Sequence, residues 1–207
     1  MKKIIITTLV ISILSTLLSC KKENELIIDN PNIFSVQIDS SLRSFYPQPD
    51  TSSTSATIYN WNFNQDPLNI ASSFTLFINW NTSPAYHGIY LHFNNQDGDI
   101  LLDNDGFVKA FDSGITLDST LAGNWSGIND GIISYDYIAH PDAIKGNLAG
   151  KGDKYIAFRA HSINPATAHF KHYGWMRIEV SANGRAVKII AIGFQKIPNT
   201  SLYTGEL

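Results

Sequence analysis

The chain is poor in cysteine and in basic residues. Cys20 is the only cysteine among its 207 residues. Unless it is modified, a lone thiol serves either as an intermolecular link or as a free reactive group. After residue 19, the chain has 13 basic residues against 18 acidic ones, a net charge of −5. Because contact with a phosphate backbone needs a basic surface, we expect no nucleic acid as a partner.

Helical periodicity and catalytic motifs are also scarce. No window of a dozen residues repeats every 3.6 positions, and the best helical candidate is the short stretch 141–145. The chain has neither a Gly-x-Ser-x-Gly elbow nor a zinc-protease His-Glu spacing. His87 with His92, and His169 with His172, are close in sequence, but spacing alone makes a weak case for zinc. We therefore expect no enzymatic activity, while a hydrolase with a dispersed active site stays open.

The N-terminus has the pattern of an export leader. Met1-Lys2-Lys3 is positively charged, and residues 4–18 form an almost uncharged apolar run. That run is shorter than the roughly 20 residues of a membrane span and is typical of a signal peptide. It ends in Leu17-Leu18-Ser19-Cys20, which resembles the bacterial lipobox, whose cysteine is acylated. We predict that residues 1–19 are removed and that Cys20 carries acyl chains, which makes the membrane a partner.

Residues 20–32 are predicted to be a lipidated tether. The polar stretch Lys21–Glu25 resembles the export signals that send Bacteroidetes lipoproteins to the cell surface. This predicts an outer-membrane lipoprotein, and both the cell surface and the periplasmic face stay open. Residues 33–207 have the length of one domain, and a chain of this size buries roughly 70% of its unfolded surface.

Alternation of apolar and polar residues dominates the rest of the chain. Such runs lie at 57–63, 74–80, 89–93, 100–102, 107–111, 132–138, 155–159, 173–180 and 187–194. Between them stand Asn-Gly and Asp-Gly steps, which tolerate the positive φ of tight turns. Short alternating strands about ten residues apart predict an antiparallel β-sandwich, jelly-roll-like, of about nine to ten strands.

The most regular of these runs form a hairpin around Asn183-Gly184. In the first strand, Met176, Ile178 and Val180 share one face with Gly174. A glycine inside a strand marks a bulge or a close approach by another group, so we expect a large side chain from the facing sheet above Gly174. Trp175, on the opposite face, is expected to pack on a neighbouring strand or under a loop.

Three segments in this part of the chain carry a family resemblance. They are Lys154–Arg159 (KYIAFR), His172–Val180 (HYGWMRIEV) and the end Ile197–Glu206, preceded by Gly123–Gly127 (GNWSG). Their succession resembles the uncharacterised "YIGFRF…HYGWVRV" C-terminal family of exported bacterial proteins, often found with PEP-CTERM-like sorting signals. The resemblance implies a surface-associated β domain without an established activity. Phe194-Gln195 replaces a Tyr-Glu pair of that pattern, and Cys20 would supply the anchorage that a C-terminal signal gives there.

An acidic stretch is the best metal candidate. Its carboxylates are Asp97, Asp99, Asp103, Asp105 and Asp112. Calcium prefers six to eight oxygen ligands, and Gly106 stands where an EF-type loop has its glycine. Leu101 then occupies the first ligand position and cannot coordinate, so Asp97 and Asp99 would have to substitute. A structural calcium ion and two ordinary hairpin turns both fit these residues, and we predict no other cofactor.

Aromatic residues suggest a second kind of site. Sugars stack on exposed rings, and the tryptophans are Trp61, Trp80, Trp125 and Trp175. Trp125, between glycines and polar residues, has the least core-like surroundings. Trp125, Trp175 and Tyr173 are therefore the candidate carbohydrate-binding residues, although most rings in a sandwich are buried.

The charges are unevenly distributed along the chain. Residues 97–142 hold nine acids and one base, and residues 143–207 hold nine bases and three acids. This predicts that the two halves pair within one sandwich, with a functional polarity as the alternative. Together, these patterns favour a lipid-anchored envelope protein with a non-enzymatic binding, adhesion or structural role, its partner an envelope protein or a glycan. The alternative is a carbohydrate-binding module for polysaccharide capture.

Overall fold

The computed structural model describes residues 30–38, 43–44, 55–62, 73–82, 85–94, 98–127, 131–137, 140–161 and 170–207. All regular structure in these ranges is β, which confirms the predicted antiparallel β-sandwich. Within the same ranges, no helix has the length and apolar character that crossing a membrane requires. Cys20, Asp97 and His169 lie outside the described residues, as do the signal peptide and most of the tether.

Fifteen strands are described, more than the nine to ten expected, because several are short pieces of two or three residues. They are β1 (Ile33–Gln37), β2 (Arg43–Ser44), β3 (Ser55–Asn62), β4 (Ser73–Thr82), β5 (Ala85–Asn94), β6 (Gly98–Leu102), β7 (Ala110–Phe111), β8 (Thr116–Leu117), β9 (Asn124–Ser126), β10 (Gly131–Tyr137), β11 (His140–Lys145), β12 (Asp153–His161), β13 (Lys171–Val180), β14 (Ala186–Gln195) and β15 (Leu202–Tyr203). The helical turn suggested for 141–145 was wrong, since these residues form β11 and pair with β10.

The strands form two large sheets and one small one. The eight-stranded sheet has the order β1-β14-β13-β12-β6-β9, with β2 also on β14 and β7 also on β12. The five-stranded sheet has the order β11-β10-β5-β4-β3. The pair β15-β8 is separate, and its inward residues Leu202 and Leu117 are fully buried.

The main core lies between the two large sheets. Alternate residues of β4 and β5 meet alternate residues of β12, β13 and β14 there. Phe158 of β12 stands 6.2 Å from Phe74 and 5.8 Å from Phe93, between ring centroids, so aromatic rings bridge the sheets. Each such buried side chain contributes about 1.5–3 kcal/mol relative to an exposed one, which makes this layer the main source of stability.

The packing of this core explains why position 174 is a glycine, but the group that approaches it is not the one predicted. A Cβ at Gly174 would overlap the ring of Phe158, which is its register partner on the adjacent strand β12. The large side chain therefore comes from the same sheet, and the expectation that it comes from the facing sheet was wrong. Two neighbouring strands share one side-chain position here, because the ring lies across the space that Gly174 leaves empty.

The opposite face of the eight-stranded sheet carries a second, smaller core. Trp175, Tyr173, Leu101 and Ala157 pack there with Leu117 and Leu202. The short β8-β15 pair belongs to this cluster and covers part of the outer face. Trp175 is thus packed under a covering segment, one of the two positions expected for it.

The acidic and basic halves of the sequence pair with each other, as predicted. Asp99 bonds to Arg159 and His161, Asp112 to Lys154, and Asp136 to Arg185. Each of these bonds joins residues 97–142 to residues 143–207. Three of the nine acids of residues 97–142 are therefore paired with bases of residues 143–207.

Candidate functional site

Sheet register brings a row of polar and aromatic side chains together on the outer face of the eight-stranded sheet. Arg159 of β12 lies opposite Asp99 of β6 on one side and opposite Tyr173 of β13 on the other. Trp125 of β9 lies opposite Leu101, two residues along β6 from Asp99. Because residues i and i+2 of a strand share a face, all these side chains project from the same side. His161 joins them, two residues beyond Arg159.

The short strand β9 is seated closely by the glycines that flank it. A Cβ at Gly127 would stand 2.6 Å from an Asp99 carboxylate oxygen and 2.7 Å from the carbonyl oxygen of Gly98. At Gly123, where φ is +149°, a Cβ would stand 2.7 Å from Leu101. The pattern GNWSG therefore allows β9 to lie against β6 and holds Trp125 beside Asp99.

Asp99 links the two basic side chains of the row. The Arg159 Nε–H donates to Asp99 Oδ2, and His161 Nε2 lies 3.0 Å from the same oxygen. Burial alone would raise the pKa of Asp99, but hydrogen bonds and positive charge from His161 and Arg159 outweigh it and lower that pKa. Asp99 is therefore held as a carboxylate, which fixes both partners in place.

Aromatic rings complete the arrangement. The Arg159 guanidinium carbon lies 4.7 Å from the Trp125 ring centroid, within cation–π range. The Tyr173 ring meets the Trp125 ring edge-on, at 6.1 Å and 62°. Trp125 stays partly exposed. We call Asp99, Trp125, Arg159, His161 and Tyr173 the Arg159 cluster.

Tyr173 is the buried member of the Arg159 cluster. It is 3% exposed, and its hydroxyl shares hydrogen bonds with the side chains of Ser119 and Arg159. Burial raises the pKa of Tyr173, and the positive charge of Arg159 opposes the rise without cancelling it. The hydroxyl therefore stays protonated and positions Arg159 rather than meeting solvent.

The Arg159 cluster has the chemistry of a binding site for a polar, partly apolar ligand. It offers an indole surface beside a guanidinium, a carboxylate and an imidazole, held in place by one another. Ligand sites commonly combine aromatic walls with a few fixed polar groups. A sugar ring, with apolar C–H faces and hydroxyl edges, fits this combination.

The structure therefore divides the three predicted carbohydrate-binding residues into two groups. The structure brings Trp125 and Tyr173 together in the Arg159 cluster. Trp175 is 1% exposed, meets Tyr155 edge-on at 5.4 Å and fills the space above Gly193, where a Cβ would overlap its indole. Trp175 is therefore buried away from the partly exposed ring of Trp125, and a role for it in sugar binding stays a prediction. Tyr173 acts from below the surface, as the support of Arg159.

The predicted calcium ligands Asp99, Asp103 and Asp112 each bond to different neighbouring groups. Asp103 Oδ1 accepts the backbone N–H groups of Asp105 and Phe107, and its Oδ2 accepts from Asn147. Asp112 pairs with Lys154 at 2.5 Å, while Asp99 belongs to the Arg159 cluster. In the described ranges, no group of three or more His, Cys, Asp or Glu side chains could hold a metal. The geometry of Asp103 is that of an ordinary turn, and a calcium site at these residues stays a prediction.

The histidines considered for zinc also lie apart. His87 is buried, whereas His92, five residues along the same strand, is only half-buried on the opposite face. His172 is buried, and its Nδ1 lies 3.0 Å from the Gln195 carbonyl oxygen. Burial lowers the pKa of His172, with the hydrogen bond to Gln195 acting in the other direction. His172 is therefore a neutral structural side chain in the sheet.

Arg159 and His161 were missed as site residues. Two signals in the sequence could have found them. The alternation of β12 places Arg159 and His161 on the face opposite Ile156 and Phe158. The charge asymmetry then predicts that bases of this segment meet acids of residues 97–142. Neither signal identifies the partner, because pairing of β6 with β12 depends on strand register between distant segments.

A second aromatic surface lies on the outer face of the five-stranded sheet. Phe77 and Tyr90 are register partners whose rings stack at 5.4 Å and 17°. A Cβ at Gly88 would lie 2.5 Å from the Tyr90 ring, so the ring occupies the space above Gly88. Thr75, Asn79 and other half-buried polar residues lie on the same strands. This surface is the second place where a sugar could stack.

Comparison with known proteins found no matching family model, no matching curated protein and no matching solved structure. The resemblance to the "HYGWVRV" family therefore stays a prediction.

Proposed function

We propose that the chain is a lipid-anchored protein of the bacterial outer membrane whose β-sandwich binds a saccharide at the Arg159 cluster without catalysing a reaction. The anchor is supported by the lipobox ending at Cys20 and by the polar stretch that follows it. The cell surface and the periplasmic face are both compatible with this proposal.

The observation that carries the proposal is the contact of Trp125 with Arg159, 4.7 Å from ring centroid to guanidinium carbon, beside Asp99 and His161. A saccharide needs an apolar surface for its C–H face and hydrogen-bonding groups for its hydroxyls. Charged donors and acceptors give hydrogen bonds about twice as strong as neutral ones. The Arg159 cluster supplies both kinds of contact in one place.

Preorganisation is a second support. Asp99 holds Arg159 and His161 before any ligand arrives, and Tyr173 holds Arg159 from below. Ordering a rotamer-rich side chain on binding costs about 0.5–1.5 kcal/mol, and this cost falls when the side chain is already fixed. The cluster is therefore suited to binding without a large rearrangement.

A glycan array probed with the full acylated protein in detergent micelles tests the binding. We expect selective binding that Trp125→Ala reduces at least about tenfold, equivalent to about 1.4 kcal/mol. Trp61→Ala is the matched control, because Trp61 is a partly buried tryptophan of the five-stranded sheet, packed against the main core. That variant should keep the affinity.

Three results would contradict the proposal. Silence of the folded protein across the array counts against a saccharide ligand. Equal loss in the Trp125 and Trp61 variants indicates general destabilisation. Loss in Phe77→Ala with retention in Trp125→Ala would move the site to the outer face of the five-stranded sheet.

The anchor is tested separately. Mass spectrometry of the mature N-terminus should show acyl chains on Cys20, and globomycin should block maturation. An unmodified Cys20 would overturn the lipid anchor and leave the saccharide site unaffected.

A further inference from the structure

The large hydrophobic side chains exposed in the described part of the chain are concentrated in one region. They are Ile115 (38% exposed), Ile197 (44%), Tyr203 (50%) and Leu207 (38%). Three of them belong to the C-terminal segment 197–207, and the fourth lies on the turn that this segment pairs with. We call these four residues the C-terminal apolar surface.

Hydrogen bonds bring Ile115 and Glu206 next to Tyr203. The Thr204 N–H donates to the Ile115 carbonyl at 2.9 Å, so Ile115 is adjacent to Tyr203. The Tyr203 N–H donates to the Glu206 carboxylate at 3.0 Å, which folds the chain end back towards Tyr203. Leu202 and Leu117 point into the outer core beneath, so their strand neighbour Tyr203 points away from it.

The N-terminal tether reaches the domain at the same place. The Asn30 N–H donates to the Leu207 carbonyl at 3.1 Å, and its side-chain amide donates to Glu206 at 3.2 Å. The Lys196 ammonium donates to the Pro31 carbonyl at 2.7 Å, immediately before Ile197. The first described residue after Cys20 is therefore bonded directly to the C-terminal segment.

Covalent geometry limits how far this region can be from the membrane. Asn30 follows Cys20 by ten residues. Ten residues span at most about 36 Å when fully extended. An acylated Cys20 therefore confines the C-terminal apolar surface to a thin layer above the bilayer, where its effective concentration is of the order of millimolar.

We propose that the C-terminal apolar surface docks on the lipid bilayer to which Cys20 anchors the chain. This proposal rests on the proposed lipidation of Cys20. Ile and Leu side chains partition into the boundary of the acyl region, and a tyrosine is favoured at headgroup level because its ring is apolar and its hydroxyl polar.

Four side chains give a weak contact that would not bind a free protein firmly. The tether changes this, because docking becomes an intramolecular step once the acyl chains are inserted. The domain is then held in one orientation, with the β13–β14 hairpin at the far end of β14. That strand has ten residues, a separation of about 33 Å from Ile197.

Lipid-dependent quenching tests the orientation. The acylated protein with Tyr203→Cys, labelled with bimane, is reconstituted into phosphatidylethanolamine–phosphatidylglycerol vesicles that contain a doxyl-labelled lipid. Acylation occupies Cys20, so the new thiol is the one that reacts. Leu207→Cys is a second probe in case the first disturbs folding, and Ala182→Cys at the exposed hairpin is the matched control. We expect strong quenching at positions 203 and 207 and little at 182.

Each outcome decides the proposal. Chains that float with the vesicles but show equal quenching at 203, 207 and 182 would overturn the docking surface and leave the anchor intact. Chains that stay in the aqueous fraction would overturn the anchor, and the docking with it. A bimane shift that grows with protein density, without quenching by lipid, would assign the surface to a second copy of the chain instead.

Discussion

The two faces of the eight-stranded sheet use the same strands in different ways. On the inner face, Ile156, Phe158 and Met176 are fully buried among apolar residues of both sheets. On the outer face, the alternate positions of β12 and β13 carry Arg159, His161 and Tyr173, which bond to acids and aromatic rings. The inner face therefore supplies most of the stability, whereas the outer face carries charged groups because it is only partly covered.

The inner face should be the more costly one to disturb. Phe158→Ala removes the ring that meets Phe74 and Phe93, and we expect a loss of about 3–5 kcal/mol in unfolding free energy. Urea unfolding followed by tryptophan fluorescence measures it. Tyr203→Ala, at a half-exposed position, is the control and should change stability by less than about 0.5 kcal/mol. Similar losses in both variants would contradict the division between the faces.

Gly174→Ala disturbs the same core from the neighbouring strand. The new methyl group would overlap the Phe158 ring, and forcing it in should destabilise the protein by about 1–3 kcal/mol. The cost should fall in a Phe158→Ala background, because the ring that blocks the methyl group is gone. A double-mutant cycle measured by urea unfolding checks this. Additive effects would show that Phe158 does not occupy the space at Gly174.

On the outer face, Asp99→Asn should lower the unfolding free energy by about 1–2 kcal/mol, because Arg159 and His161 lose their shared carboxylate. The matched control is Asp153→Asn. Its pair with Arg177 is 39% and 38% exposed, against 12% and 15% for Asp99 and Arg159, so it should change stability by less than about 1 kcal/mol. Thermal unfolding of the two variants gives the comparison. Equal effects would mean that the Arg159 cluster is no more than a surface ion pair.

The smallest expected effect concerns His172, which should change how steeply the unfolding free energy depends on pH. The pKa of His172 in the folded protein lies below the ordinary value of 6.5. Its contribution to the unfolding free energy is therefore complete above pH 6.5 and is lost as the pH falls from 6.5 through the lower pKa of the folded state. The slope is at most about 1.4 kcal/mol per pH unit for one proton. Urea unfolding between pH 7.5 and 5 should show a shallower slope in His172→Asn, whose amide can still donate to Gln195. An unchanged slope would show that His172 takes up a proton equally in both states.

Much of the fold could be predicted from local pattern. Alternation located β4, β5, β13 and β14, and in β13 it separated Met176, Ile178 and Val180 from Trp175, because a strand places successive residues on opposite sides. The short strands β7, β8, β9 and β15 were not separated in advance, since two or three residues carry too little pattern. The helical turn predicted for residues 141–145 was wrong for the same reason. These residues form a strand because they pair with β10.

The candidate site was only half predictable. Trp125 is identifiable because it stands between glycines, and Tyr173 because alternation places it on the same strand face as Trp175. Trp175 has an equally suggestive setting but is buried, since the covering segment comes from residues 197–207. Arg159 and His161 could be assigned to a face, yet their contacts depend on which distant strand lies next to β12.

The sequence by itself determined the β class, the two faces of β13 and the charge asymmetry. These properties follow from residues close together in the chain. Only the tertiary structure decided that Asp99 lies opposite Arg159, that Phe158 fills the space at Gly174, and that Asn30 bonds to Leu207. The reason is physical: these contacts join residues 16 to 177 positions apart, and strand register, which no local pattern specifies, fixes which of them meet.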